Sequence, residues 1–147
     1  MLGSDDMIAV APPDHPVARR SVITWAELAA HPIVALAPGS GLRRRADLAW
    51  QQSGATPRVP VAAETVATVI GMVAAGLGVT ALTRSVLQLS PGTTVKTTPL
   101  IAPRVSRSLA VVVRANPSLP PPAEAFLKVL ERVRFDPKDE QAPTGQD

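Results

Sequence analysis

Apolar residues along this chain fall into short runs, most of them closed by proline or glycine. Residues 7–11 (MIAVA) are apolar throughout and lie between Asp5-Asp6 and Pro12-Pro13. A run this short, bounded by breakers, predicts a strand. Pro12-Pro13-Asp14-His15-Pro16 predicts a loop, because proline cannot donate to a ladder. Thr24-Trp25-Ala26-Glu27 has the spacing of a capping box, so a short helix should start at Trp25 and stop near His31-Pro32. Residues 33–37 (IVALA) predict a buried strand, followed by a turn at Pro38-Gly39-Ser40-Gly41.

The same alternation continues downstream. Residues 42–52 predict a helix with Leu42, Ala46, Ala49 and Trp50 on one face and the arginines opposite, stopped by a left-handed Gly54. Residues 59–63 predict a strand. Residues 65–75 predict a helix, with Val66, Val69, Ile70 and Val73 at helical spacing, ended by Gly76. Residues 78–82 predict a strand, 85–89 a helical turn, and Pro91-Gly92 a further turn. Residues 95–100 and 109–114 predict two more strands. Ala123, Phe126, Leu127, Leu130 and Val133 follow i, i+3, i+4, i+7 spacing and predict a closing helix. Residues 136–147 are polar, with Pro and Gly, and predict a disordered tail. Strands alternating with helices imply an α/β domain on a mainly parallel sheet, whose ligands bind at the carboxyl ends of the strands.

Composition narrows the function classes. The chain has 147 residues, 46% of them hydrophobic, which suffices for one domain with a core. The absence of Cys excludes a disulfide scaffold, a thiolate zinc site and a Cys nucleophile, and fits a reducing compartment. A formal charge of +3 is weak support for nucleic acid, and the only tight basic cluster, Arg43-Arg44-Arg45, suits a solvated helix face. The apolar stretch over residues 66–82 is broken by glycines and is too short for a membrane span. The first residues, MLGSDD, lack the basic and apolar regions of a secretory signal.

Candidate chemistry is sparse. Ser40 lies in PGSG, without the flanks of a nucleophile elbow, and the two histidines, His15 and His31, sit beside prolines. No metal-ligand spacing occurs, and no cofactor is expected. The glycines at 71, 76 and 78 have phosphate-loop spacing without the Lys-Ser/Thr, and Gly76 suits a helix C-cap. Two helix N-termini remain, one after Pro38, Gly39 and Ser40 and one at Thr65. Their free N–H groups favour an anion, and Ser40, Thr65 and Thr68 add hydroxyls. Spacing alone allows either capping or ligand contact.

The order of these motifs resembles the effector-binding domain of LysR-type transcriptional regulators. The strand at 7–11, His15-Pro16-Val17-Ala18, the capped helix from Thr24, Pro32 with its apolar strand, the Pro38-to-Gly41 turn and Gly54 follow the family's second subdomain. Val73-Ala74-Ala75-Gly76-Leu77-Gly78-Val79 is similar to the family's V-A-A-G-x-G-V. RSLAVVVRANPSLPPPAEAFLKVL resembles its closing strand and helix. One departure is Thr83, where the family often has proline.

The resemblance implies a periplasmic-binding-protein-like (type II) fold that is incomplete. Residues 1–100 would form the second subdomain with the first crossing strand. Residues 101–135 would supply the returning strand and the C-terminal helix of the first subdomain, and residues 136–147 the tail. It implies a cytoplasmic, non-enzymatic sensing fragment of a homo-oligomeric regulator, with no membrane contact and with DNA bound only through an N-terminal domain not in this sequence. The partner would be a small, anionic effector held by Pro38, Gly39, Ser40, Thr65, Val66 and Thr68. With half of the cleft absent, effector affinity should be poor and the fold marginal. A fragment of a solute-binding protein for transport is the alternative reading.

Overall fold

A computed structural model describes residues 2–113 and 119–132. The chain divides into two units, Asp6–Ser106 and Met1–Asp5 with Arg107–Asp147. The expected tail at 136–147 lies outside the described residues.

The larger unit is built on one strand. β1 (Gly3–Ala11) runs into it, and its residues 7–11 are at most 1–2% exposed. Both faces of this strand are therefore covered, which is why its sequence is apolar throughout rather than alternating. Met7, Ala9 and Ala11 join a cluster with Trp25, Leu28, Ala46, Ala49 and Trp50. Ile8 and Val10 join a second with Val69, Ile70, Val73 and Leu82. Each fully buried Leu, Ile or Val contributes about 1.5–3 kcal/mol relative to exposure.

Around β1 lie β2 (Ile23–Thr24), β3 (Val34–Leu36), β4 (Val61–Ala63), β5 (Thr80–Thr83) and β6 (Lys96–Ile101). The strand order is β2-β6-β1-β5 in one sheet and β3-β4 in the other. The two are joined where Ile33 bridges Val79 in parallel, with the Val34 N–H donating to the Val79 carbonyl at 2.9 Å. The expectation of a mainly parallel sheet needs correction. β3–β4 and β2–β6 are parallel, but β1 is antiparallel to both β5 and β6. A strand that enters the sheet from outside any β–α–β repeat is free to run against its neighbours.

α1 (Trp25–Ala29) and α2 (Gly41–Gln52) cover one face of the sheet, and α3 (Val66–Ala74) covers the other. The capping box of α1 forms as read: the Thr24 hydroxyl accepts from the Glu27 N–H at 3.1 Å, and the Glu27 carboxylate accepts from the Thr24 N–H at 2.8 Å. The proline loop after β1 holds a 3-10 turn, Pro16–Arg19, capped by the His15 ring. Gly76, at φ +83°, closes α3 with a Schellman pair: its N–H donates to Val73 and that of Leu77 to Met72. That accounts for the phosphate-loop-like glycine spacing. A Cβ on Gly78 would lie 2.3 Å from the Pro32 carbonyl oxygen, so glycine permits the close approach of the β3 and β5 entries.

In the smaller unit the Leu2 N–H donates to the Leu109 carbonyl at 2.7 Å, and Arg107 Nε donates to the buried Asp5 carboxylate at 2.9 Å. These partners fix β7 at Ser106–Leu109. The strand expected over 109–114 is thus displaced: residues 110–113 form none, Val112 is 91% exposed, and Arg114 lies outside the described residues. An apolar run permits a strand, but a backbone partner decides where it forms. α4 (Pro121–Arg132) matches the expected closing helix, with Phe126 and Val129 more than half exposed.

Candidate functional site

Parallel β3 and β4 end side by side. Leu36 pairs with Ala63, and the Ala37 N–H donates to the Ala63 carbonyl at 2.9 Å. Each strand then turns into a helix. Pro38 and Gly39 form the exposed turn after β3, with Gly39 at φ +99°. Ser40 is the N-cap of α2; its hydroxyl accepts from the Arg43 N–H at 3.0 Å. Thr65 is the N-cap of α3; its hydroxyl accepts from the Thr68 N–H at 3.2 Å and lies 2.8 Å from the Thr68 hydroxyl. Val66 opens α3 and packs on the core. All six positions singled out from the sequence fall at one end of the same strand pair.

The two helices leave this end on opposite faces of the sheet, α2 over the cluster of Ala46, Ala49 and Trp50, and α3 over that of Val69, Ile70 and Val73. Adjacent parallel strands whose helices diverge in this way leave a crevice at their carboxyl ends. The amides of each first turn that the cap does not reach have no acceptor within the helix, and such groups favour an anion. The cap bonds of Ser40 and Thr65 use one lone pair of each oxygen. Each hydroxyl keeps further hydrogen-bonding capacity.

Sequence reasoning missed one group here. Arg43 belongs to the run assigned to a solvated face, yet its side chain is only 19% exposed. Its Nη1 donates to the Leu36 carbonyl at 3.0 Å and its Nε to Asp47 at 2.8 Å. The guanidinium thus folds back onto the carboxyl end of β3. Position 43 lies between the apolar and polar stripes of α2, so periodicity alone does not settle its direction. Arg43, Trp50 and Thr80 also line a space of about 10 Å³ beneath α2, room for about one water. A larger hollow, about 260 Å³, lies against the 3-10 turn and α1, where it is lined by Val17, Arg20, Ile23, Glu27 and His31.

Beside this hollow the His15 and His31 rings meet edge to face at 4.8 Å. Burial, and then the charge of His31, hold the His15 pKa below its ordinary value. The His15 Nδ1 accepts from the Val17 N–H at 3.2 Å, so that nitrogen caps a turn.

A sheet of this order, with a single antiparallel strand entering it and β3 and β4 each turning into a helix at their carboxyl ends, is the architecture of one lobe of a two-lobed binding protein. The LysR substrate binding domain model matches residues 1–134, and the chain belongs to that family. Among its relatives, the transcriptional dual regulator GltC of Bacillus subtilis is 30% identical over 142 residues, covering 96% of this chain and 46% of GltC. An uncharacterized HTH-type transcriptional regulator of Escherichia coli K12, YbhD, is 29% identical over 131 residues, covering 86% of this chain and 40% of YbhD. The chain therefore spans less than half the length of either relative. The effector binding domain of QuiR, solved with shikimate, superimposes with a TM-score of 0.70 at 22% identity, over 90% of this chain and 63% of that one. The type II binding-protein fold expected from the sequence is the fold found, as part of such a domain.

Proposed function

We propose that this chain is the effector-sensing part of a LysR-type regulator, working as one wall of a small-molecule cleft. The observation that carries this is the paired start of α2 and α3 at the ends of adjacent parallel strands. The effector is a small organic anion. Pro38, Gly39 and Ser40 contact it from the α2 side, and Thr65, Val66 and Thr68 from the α3 side. Residues 1–100 act as the second subdomain with the first crossing strand, and residues 101–135 as the returning strand and closing helix. Effector binding favours the conformation that holds it best, and that bias is transmitted to DNA through a part of the regulator outside this chain. The regulator is a cytoplasmic homo-oligomer, and its work is sensing rather than turnover. Among the described residues no helix is long and apolar enough to cross a membrane.

The test is effector titration of a full-length regulator carrying this sequence, as wild type, Ser40→Ala and Thr68→Ala. Both variants should need roughly tenfold more effector for the same transcriptional response, a change of about 1.4 kcal/mol, while still folding. Unchanged titrations in both would remove these residues from the site.

A further inference from the structure

We propose that the Thr83 hydroxyl is a contact for the effector, donating to an oxygen of the small organic acid held at the start of α2. The inference rests on the effector-site reading above and adds a residue from a third strand.

Thr83 is fully buried, and its Oγ1 has no hydrogen-bond partner. Buried hydroxyls are rarely left so. Thr98, equally buried, donates to the Val17 carbonyl at 2.8 Å. Thr83 also stands at the N-cap position of the 3-10 turn Arg84–Leu89, yet its side chain makes no cap bond there, unlike Thr24 and Thr65. Valine would fill the same volume without desolvating a hydroxyl. Nothing in the folding of β5 therefore calls for the oxygen.

Its position supplies a reason. Thr83 ends β5, opposite Met7 of β1. Met7 and Ala81 belong to the cluster under α2, so the pleat directs Thr83 to the α2 face as well. β5 is entered in parallel with β3, so its last residue lies at the end of the sheet where Pro38–Ser40 turns. Thr80 and Ala81 line the small space against Arg43, Ala46 and Trp50 of α2. Since α2 runs against the strands, two or three residues further along β5, about 7–10 Å, leads towards the start of the helix. There the Gly41 and Leu42 N–H groups have no acceptor within the helix. Among the described residues, the other buried unpaired atoms, Trp50 Nε1 and Ser90 Oγ, do not share this combination of face and end.

Two sets of donors at one end suit a carboxylate: backbone N–H groups for one oxygen and the Thr83 hydroxyl for the other. Effector entry uncovers Thr83, and the bond forms only in the bound state. The unpaired hydroxyl then lowers the stability of the free state and raises affinity for the effector.

The experiment compares a full-length regulator carrying this sequence as wild type, Thr83→Val and Thr83→Ser. Thermal melting is followed without ligand, and affinity is measured by calorimetry with shikimate, benzoate, malonate and glutarate in turn. Thr83→Val should melt at the same temperature or up to about 4 °C higher. It should bind the acids at least tenfold more weakly, and Thr83→Ser should keep wild-type affinity. A lower melting temperature for Thr83→Val would mean that the hydroxyl has a structural partner, and would overturn the inference. Equal affinity of wild type and Thr83→Val would overturn it too, while leaving the α2–α3 site intact. No binding of any of the four acids to the wild type would overturn the anionic-effector reading, and the inference with it.

Discussion

At the scale of single residues, the tightest constraint is at Gly78. Its φ is +156°, and any Cβ would meet the Pro32 carbonyl, which already accepts the Val79 N–H at 3.0 Å. Gly78→Ala should therefore destabilise the fold by about 2 kcal/mol or more, through backbone displacement and lost bridging between β3 and β5. Urea unfolding of the variant checks this; a loss under about 0.5 kcal/mol, the usual range of surface changes, would show that the strands can separate freely. A glycine packed for close approach is legible in the sequence, whereas the atom it approaches is not. The histidines make a second case. Burial comes first and His31 second in holding the His15 pKa down. His31→Gln should raise the His15 pKa part of the way to its ordinary value, which NMR titration of the ring protons can follow. Because the folded-state pKa is depressed, neutral His15 supports stability above about pH 6.5, and that support is lost as pH falls through the folded pKa. The fifteen residues between His15 and His31 gave no sign that the two rings touch.

Among the elements, helix starts were the most legible, because a cap is chemistry between near neighbours in sequence. Thr24 caps as its spacing suggests, and Ser40 and Thr65, whose spacing allows either capping or ligand contact, cap their helices as well. Thr24→Ala should cost about 1 kcal/mol of stability, measured by thermal or urea unfolding. The hydrogen bonds from Thr24, and then the charge of Arg20, hold the Glu27 pKa below its usual value. The box is therefore complete above the ordinary carboxylate range and is lost as pH falls through the lower, folded pKa of Glu27. The difference in stability between wild type and Thr24→Ala should narrow in acid, and a constant difference down to pH 2 would contradict this coupling. Strands were read less well, for a physical reason. The MIAVA run revealed that both faces of β1 are covered, but direction and register depend on partners far away in sequence. Its antiparallel pairing with β5 joins residues seventy or more positions apart, and β7 is fixed by Leu2 and Asp5 rather than by its own apolar content.

For the whole molecule, the order of elements carried more information than any motif. Strand, capped helix, strand, Gly/Ser turn and helix, each at its own spacing, resemble the LysR effector-binding domain, and the family match over residues 1–134 agrees. The six proposed contact residues were placed at strand-to-helix turns by the same order, and they do stand at one end of β3 and β4. Arg43 and Thr83 were not legible as part of that region, since one depends on a side chain folding back and the other on which face of β5 meets α2. The account's central claim is that this end of the sheet takes a small organic anion. Amide chemical-shift mapping of the 147-residue chain, titrated with shikimate, benzoate, malonate and glutarate, tests it most directly. The account predicts saturable shifts concentrated at residues 39–42 and 65–68. Shifts gathered instead around Val17, Ile23 and His31, or none at all, would contradict it.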